Sequence, residues 1–275
     1  DIYIDKNSHR TVRSGLKTGF WGAPNEKEGT GKTDKGVIVD TQASYAIPLA
    51  LDVFDEANKP FAIKYLNEAV SRTNKDDSGI ERPNYSLMTG FIGTASISEA
   101  LSVNGNHDLA YKLLTNKQYP SWLYSVVNGA TSIWERLNSY TVENGFGGNN
   151  SMNSFNHYSF GAVAAWMYNY SLGIQRHPEK TGFKEFILMP TPDPNGQITE
   201  AKGHYDSMYG RIYSAWKSQQ NTWTYSATVP ANSTATLYLP AKSVSQISEN
   251  GKSLSTWKGV KSEKGFIIIP LESGS

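Results

Sequence analysis

Apolar positions recur with a helical period through roughly the first 180 residues and with a two-residue period after them. In "TQASYAIPLALDVF" (41–54), Tyr45, Leu49 and Phe54 fall at helical spacings behind Thr41, a candidate cap. Pro48 would kink this helix or sit near its start. "KPFAIKYLNEAVSRT" (59–73) has Pro60 in a tolerated first-turn position, then Ile63, Leu66 and Val70 on one face. "SLMTGFIGTASISEALSVNG" (86–105) reads as a buried helix ending at Gly105, followed at once by "NHDLAYKLLTN" (106–116). "SFNHYSFGAVAAWMYNYSLGI" (154–174) is the longest apolar helical stretch and ends near Gly173. Helices with such short links predict stacked helical hairpins.

Beyond that point "FKEFILMP" (183–190), "GRIYSAWKS" (210–218), "TWTYSATVP" (222–230), "TATLYLPA" (234–241) and "GFIIIPL" (265–271) are short β-rich runs between turn-rich pieces. This spacing predicts an antiparallel sandwich. The change of period, with "PEKTG" and "TGFKE" around 178–185, divides the chain into a helical part, 1–180, and a β part, 181–275.

The charge balance, 26 basic against 25 acidic residues, argues against a nucleic-acid or anionic-membrane partner, which would need a basic face. No apolar run is long enough to span a bilayer. The polar start, "DIYIDKNSHR", is no signal peptide, which leaves both the cytoplasm and export open. Without cysteine there is no thiol catalysis and no thiolate metal site. His9, His107, His157, His177 and His204 show no metal-ligand spacing, so neither a metal nor another cofactor is expected. No phosphate-cradling glycine loop and no G-x-S-x-G elbow occurs.

One stretch carries candidate chemistry: "GATSIWERLNSYTVENGFGGNNSMNSFNHYSF" (129–160). Glu135 lies between Trp134 and Arg136, ahead of a Gly/Asn/Ser-rich connection from Asn138 to Asn153, and His157 follows 22 residues later. Long irregular connections inside compact domains are usually functional or disordered. Glu135 has two readings. It is a surface glutamate paired with Arg136, or it is a carboxylate that takes a proton from water during glycoside hydrolysis. His157 is either structural or a donor to a sugar hydroxyl or to the carboxylate. Trp122, in the turn-like "YPSWLY" (119–124), is either a core residue or a stacking platform. Gly90 and Gly93 either allow close helix packing or leave room for a ligand.

At these residues the sequence resembles the bacterial α-L-rhamnosidases of glycoside hydrolase family 78. The matching pieces run in order: "TQASYAIPLAL", "LMTGFIGT", "LAYKLLTNKQYPSWLYSVVNGATSIWERLNS", "MNSFNHYSFGAVAAWMYNYSLGI" and "GRIYSAWK". The pair "GATSIWER" and "MNSFNHYSFG" is the specific part. The resemblance implies an (α/α)6 barrel followed by an antiparallel β-sandwich, an α+β multidomain architecture. It implies an inverting hydrolase that releases L-rhamnose from rhamnose-containing glycosides. The family's general base falls on Glu135 and its pocket histidine on His157. Trp122 matches a tryptophan lining the sugar site, and Trp134 and Arg136 flank the base.

The family's general acid lies in an acidic D-x-x-R-D-E-R-type segment upstream of the base. Residues 1–134 contain no such segment, and "GIERPN" (79–84) falls short of it. Residues 1–180 also supply about half of the helices that such a barrel needs. The resemblance therefore implies the C-terminal half of the barrel plus the sandwich, with a missing N-terminal part as partner. Alone, the chain is expected to be inactive and to dimerise, to pair with that part, or to be marginally stable. Two other readings remain: a non-catalytic carbohydrate-binding or scaffold fragment, and a related barrel that cuts another sugar.

Overall fold

The computed structural model describes residues 3–13, 37–76, 78–147, 151, 153–219, 222–255 and 257–275. Parts of the Gly/Asn-rich connection, 148–150 and 152, lie outside the described residues. Two compact units emerge, Asp1–Val163 and Ala164–Ser275.

The first unit opens with a small antiparallel sheet of β1 (Tyr3–Ile4), β2 (Thr11–Arg13) and β3 (Val37–Ile38). Helix α1 (Gln42–Ala50) starts where expected. The Thr41 hydroxyl accepts the Ser44 N–H, and the Ser44 hydroxyl accepts the Thr41 N–H, so two orphan donors are satisfied reciprocally. Pro48 falls in the last turn rather than the first, and the helix ends two residues later. Helix α2 (Lys59–Ser71) buries Ala62, Leu66, Ala69 and Val70 along one stripe. A short hairpin follows, β4 (Asn74–Lys75) and β5 (Glu81–Arg82).

Helix α3 (Phe91–Val103) begins five residues later than the periodicity predicts. The reason is a distant side chain. Buried Gln42 accepts the Met88 N–H at 2.9 Å and donates to the Ser86 carbonyl at 2.9 Å. Leu87 N–H goes to the Pro120 carbonyl at 2.9 Å. These backbone groups are spent laterally, so the segment stays extended until Gly90 caps the helix. Gly93 answers to packing: a Cβ there would meet the Ala43 Cβ at 2.9 Å and the Thr89 Cβ at 3.0 Å. α1 and α3 thus approach closely at that point.

Helix α4 (His107–Thr115) buries Leu109, Ala110, Tyr111, Leu113 and Leu114. Helix α5 (Trp122–Val127) begins at Trp122, correcting its turn-like reading, and Ser121 caps it by accepting the Tyr124 N–H. Ile92 and Val103 on α3, and Val126 and Val127 on α5, are exposed.

The long helix expected over 154–174 is shorter and broken. Residues 154–158 are irregular. A 3-10 turn (Ser159–Ala162), one α-turn (α6, Val163–Trp166) and a π-turn (Met167–Ser171) follow. Gly173 ends the run at φ +72°, where a Cβ would lie 2.1 Å from the Met189 backbone. Only glycine fits there.

The second unit is built of two larger sheets and one separate two-stranded ribbon. Strands β6 (Ile174–Arg176), β7 (Glu185–Leu188), β8 (Glu200–Ser207), β9 (Gly210–Gln219), β10 (Thr222–Thr228), β11 (Thr234–Pro240), β12 (Ser248–Glu249), β13 (Lys252–Ser253), β14 (Lys261–Glu263) and β15 (Phe266–Leu271) build it. One sheet has the order β14-β15-β11-β7-β6 and another the order β10-β9-β8. All neighbours in these two sheets are antiparallel except β7 and β11, which pair in parallel with Ala235 opposite Phe186 and Leu237 opposite Leu188. Alternation places Phe186, Leu188, Leu237, Leu239, Ile267 and Ile269 in one core with Ile212 of the other sheet. Each such aliphatic side chain contributes about 1.5–3 kcal/mol by leaving water. Buried Ser214 and Trp216 of β9 donate to the Leu172 and Ser171 carbonyls, at 2.6 and 2.8 Å.

Gly93→Val should overpack the α1–α3 contact and lower the unfolding free energy by about 1–3 kcal/mol. Gly90→Ser, with nothing within 4 Å of the added atom, should change it by less than about 0.5 kcal/mol. Urea unfolding followed by circular dichroism compares the two. Equal effects would contradict the packing role of Gly93.

Candidate functional site

Two short segments of the first unit lie antiparallel and are bonded to each other. His157 N–H donates to the Ile133 carbonyl at 2.8 Å, and Glu135 N–H to the Ser154 carbonyl at 2.8 Å. The Ser154 N–H returns a bond of 2.7 Å to Glu135 Oε2. The Ser132 hydroxyl bonds the Phe155 carbonyl. Gly161 lets the segments close up, since a Cβ there would lie 3.3 Å from Ile133 Cγ1. The pairing spends the Ser154 and Phe155 carbonyls, which would otherwise accept the first helical bonds, and the helix begins only at residue 159.

The described part of the connection between them is built, not slack. Trp134, Phe155, Phe146 and Tyr140 form a closed ring of edge-on contacts, with centroids 5.4, 5.6, 5.2 and 6.4 Å apart in turn. Such pairs contribute about 0.5–1.5 kcal/mol each beyond their burial. Thr141 and Gly145 exchange two backbone bonds, of 2.9 and 2.8 Å. The Tyr124 hydroxyl of α5 accepts the Val142 N–H at 2.9 Å.

Each residue singled out in the sequence can now be placed. Glu135 is half-buried, with its carboxylate held by a backbone donor. Trp134 is 7% exposed and packs against Phe155 and Tyr140. Half-buried Arg136 directs its backbone N–H to the Ser139 hydroxyl at 3.3 Å. Trp122, also 7% exposed, donates its indole N–H to the Phe160 carbonyl at 2.8 Å, three residues past His157. Half-buried His157 accepts the Ser159 N–H on Nδ1 at 3.3 Å, so its ring proton sits on Nε2. The pairing therefore brings Glu135, Trp134 and His157 onto one small platform, and Trp122 buttresses its far end.

Three participants escaped the sequence reading. Ser154 anchors the carboxylate through its backbone, which no residue type announces. Tyr158 stacks on His157 at 5.2 Å and 16°. Phe91, read only as part of an apolar helix, also stacks on the His157 ring, at 4.9 Å and 23°. A phenylalanine directly after a capping glycine was the available signal.

A second charged cluster surrounds Asp40. Its carboxylate accepts the Tyr45 hydroxyl at 2.7 Å and Arg72 at 2.9 Å, and also bonds Arg10. Burial alone would raise the pKa of this group, but the Tyr45 hydroxyl and the two guanidiniums outweigh it and hold the carboxyl below its usual range. Burial, then the bond to Asp40, pushes Tyr45 up to about 12. A carboxyl serving as general acid needs an upward displacement, the opposite of that at Asp40. Among the described residues no group of three or more His, Cys, Asp or Glu could hold a metal ion.

Comparison with known proteins gives these segments relatives. Residues 7–171 match the family described as bacterial alpha-L-rhamnosidase 6 hairpin glycosidase domain, and residues 173–254 the bacterial alpha-L-rhamnosidase C-terminal domain. An α-L-rhamnosidase of Formosa agariphila is 39% identical over 244 residues, which are 86% of this chain and 24% of that protein. One from Streptomyces avermitilis is 30% identical over 243 residues, 88% of this chain and 22% of that protein. The crystal structure of the Streptomyces avermitilis α-L-rhamnosidase complexed with L-rhamnose matches with a TM-score of 0.73 at 29% identity, covering 88% of this chain and 22% of that one. The chain thus spans about a quarter of the length of the curated relatives it matches.

Phe155→Ala removes the ring shared by Trp134 and Phe146. It should cost about 2–3 kcal/mol, less than full burial would, and the loss should be local. Amide exchange at Glu135 and Ser154 is expected to accelerate while amides of α2 and α4 keep their protection. Uniform acceleration across the unit would contradict a local clamp.

Proposed function

The chain belongs to the bacterial α-L-rhamnosidase family, and on that premise we propose that it supplies the general-base side of a rhamnosidase site. The reaction is inverting hydrolysis of the bond to a terminal α-L-rhamnosyl residue. One observation carries this reading: the Glu135 carboxylate is held by the Ser154 N–H at 2.7 Å, on the segment pair that also carries His157. An immobilised carboxylate on the same segment pair as a ring whose Nε2 is a donor suits a base and a hydroxyl-binding group.

In this reading Glu135 takes a proton from a water as the water oxygen bonds to the anomeric carbon. The glycosidic C–O bond breaks on the opposite face. Its electron pair stays on the leaving oxygen, which is protonated by a second carboxyl group. Inversion places the two carboxyls roughly 6.5–9.5 Å apart, with room for the water. His157 donates from Nε2 to a sugar hydroxyl. Arg136 contributes a charged donor, and Trp134 and Trp122 form the wall behind the site.

The acid is not assigned to these residues. Residues 1–134 contain no acidic D-x-x-R-D-E-R segment. Among the described residues, the Asp carboxyls that are clearly displaced, at 5, 40, 55, 76 and 206, are all displaced downwards. A proton donor at neutral pH needs an upward displacement. The exposed apolar side chains of α3 and α5 are where further hairpins of the barrel, or a second copy of the chain, would pack.

Hydrolysis of an aryl α-L-rhamnoside tests the reading, with the 275-residue chain and with the polypeptide encoded by the complete gene. Glu135→Gln in the latter should lower kcat by about 10²–10⁴-fold with little change in ligand affinity. The 275-residue chain alone should show no turnover. Near-normal turnover in the variant would remove Glu135 from the base role, and clear turnover by the chain alone would place an acid within it.

A further inference from the structure

The imidazole of His157 is gripped on several sides. Its backbone N–H is bonded to Ile133, and its Nδ1 accepts the Ser159 N–H. Its ring makes two near-parallel stacks, with Phe91 at 4.9 Å and 23° and with Tyr158 at 5.2 Å and 16°. Phe91 comes from the first position of α3, far away in sequence. It also meets Phe160 edge-on at 5.6 Å and 76°. Phe160 in turn accepts the Trp122 indole through its carbonyl. Phe91 is 41% exposed and Tyr158 is 85% exposed. Neither ring is used to fill a core, and an exposed phenylalanine at a helix start gains little from burial.

We infer that Phe91 is a positioning residue, which fixes the plane of the His157 imidazole and so the direction of its Nε2–H. The Ser159 bond sets which nitrogen carries the proton. It leaves the ring free to tilt about the axis through Nδ1, because one hydrogen bond of 3.3 Å restrains a direction and not a plane. The near-parallel stacks remove that freedom, since aromatic pairs hold both distance and tilt. Phe91 touches no substrate in this account. It acts through His157, and its effect on hydrolysis rests on the proposed role of His157 as a donor to the sugar. A donor whose direction is set before binding loses less freedom when the ligand arrives.

The test separates the ring from the reaction. In the ligand-free 275-residue chain, the His157 ring protons should carry ring-current shifts in the NMR spectrum. In Phe91→Leu the share from Phe91 should be lost and the share from Tyr158 should change as the ring tilts, whereas Phe91→Tyr, which keeps a flat ring, should preserve both. In the complete gene product, Phe91→Leu should raise KM for an aryl α-L-rhamnoside by about three- to tenfold, the scale of one aromatic pair, with kcat nearly unchanged. Phe91→Tyr should restore it. In a His157→Ala background, Phe91→Leu should add nothing, because its target is gone. Unchanged His157 shifts in Phe91→Leu, or full additivity of the two substitutions, would overturn the positioning role. If His157→Ala itself leaves hydrolysis intact, the binding role of His157 falls, and the ring shifts still decide the positioning.

Discussion

The reciprocal bond between Glu135 and Ser154 is the constraint from which the rest of the site follows. Glu135 gives its N–H to the Ser154 carbonyl and receives the Ser154 N–H on its side chain. One residue thereby satisfies two backbone groups and has its own carboxylate aimed. The bond from His157 N–H to Ile133 extends the same register. With the Ser154 and Phe155 carbonyls spent on Glu135 and Ser132, the apolar stretch that follows begins as a helix only at residue 159. The bulky ring of Trp134, Phe155, Phe146 and Tyr140 then keeps the two segments together from the outside.

Much of the helical unit was readable because its helices carry local signals. The cap at Thr41, Pro60 in a first turn, and the apolar stripe of α2 are all local, and they fall where the sequence placed them. The alternation in β7, β11 and β15 likewise announces the sandwich core. What was not readable depends on distant partners. The start of α3 is set by the amide of Gln42, more than forty residues earlier. The parallel pairing of β7 with β11 leaves no mark on either strand's own pattern. The sequence leaves Trp122 open between core residue and stacking platform, and only the Phe160 carbonyl shows its indole turned into the packing.

The candidate site divides in the same way. Glu135 and His157 stood out because a carboxylate between bulky groups and a histidine after a polar connection are rare in plain helices. Ser154 and Ser159 act through backbone N–H groups, and any residue but proline carries one. Phe91 was hidden among apolar neighbours that serve only packing. The proposed site is asymmetric: the proposed base, its anchor and the proposed donor lie in one unit of a rhamnosidase-family chain, and the acid is left to other residues.

Chemical rescue tests the central claim, that Glu135 is the base of an inverting reaction, most directly. In the complete gene product carrying Glu135→Ala, azide can enter the space left by the carboxylate and attack the anomeric carbon without needing a base. The account predicts that millimolar azide restores aryl α-L-rhamnoside turnover and yields the β-L-rhamnosyl azide, identified by NMR of the anomeric centre. An α-configured azide, or a Glu135→Ala protein whose unassisted turnover matches the unsubstituted enzyme, would contradict it.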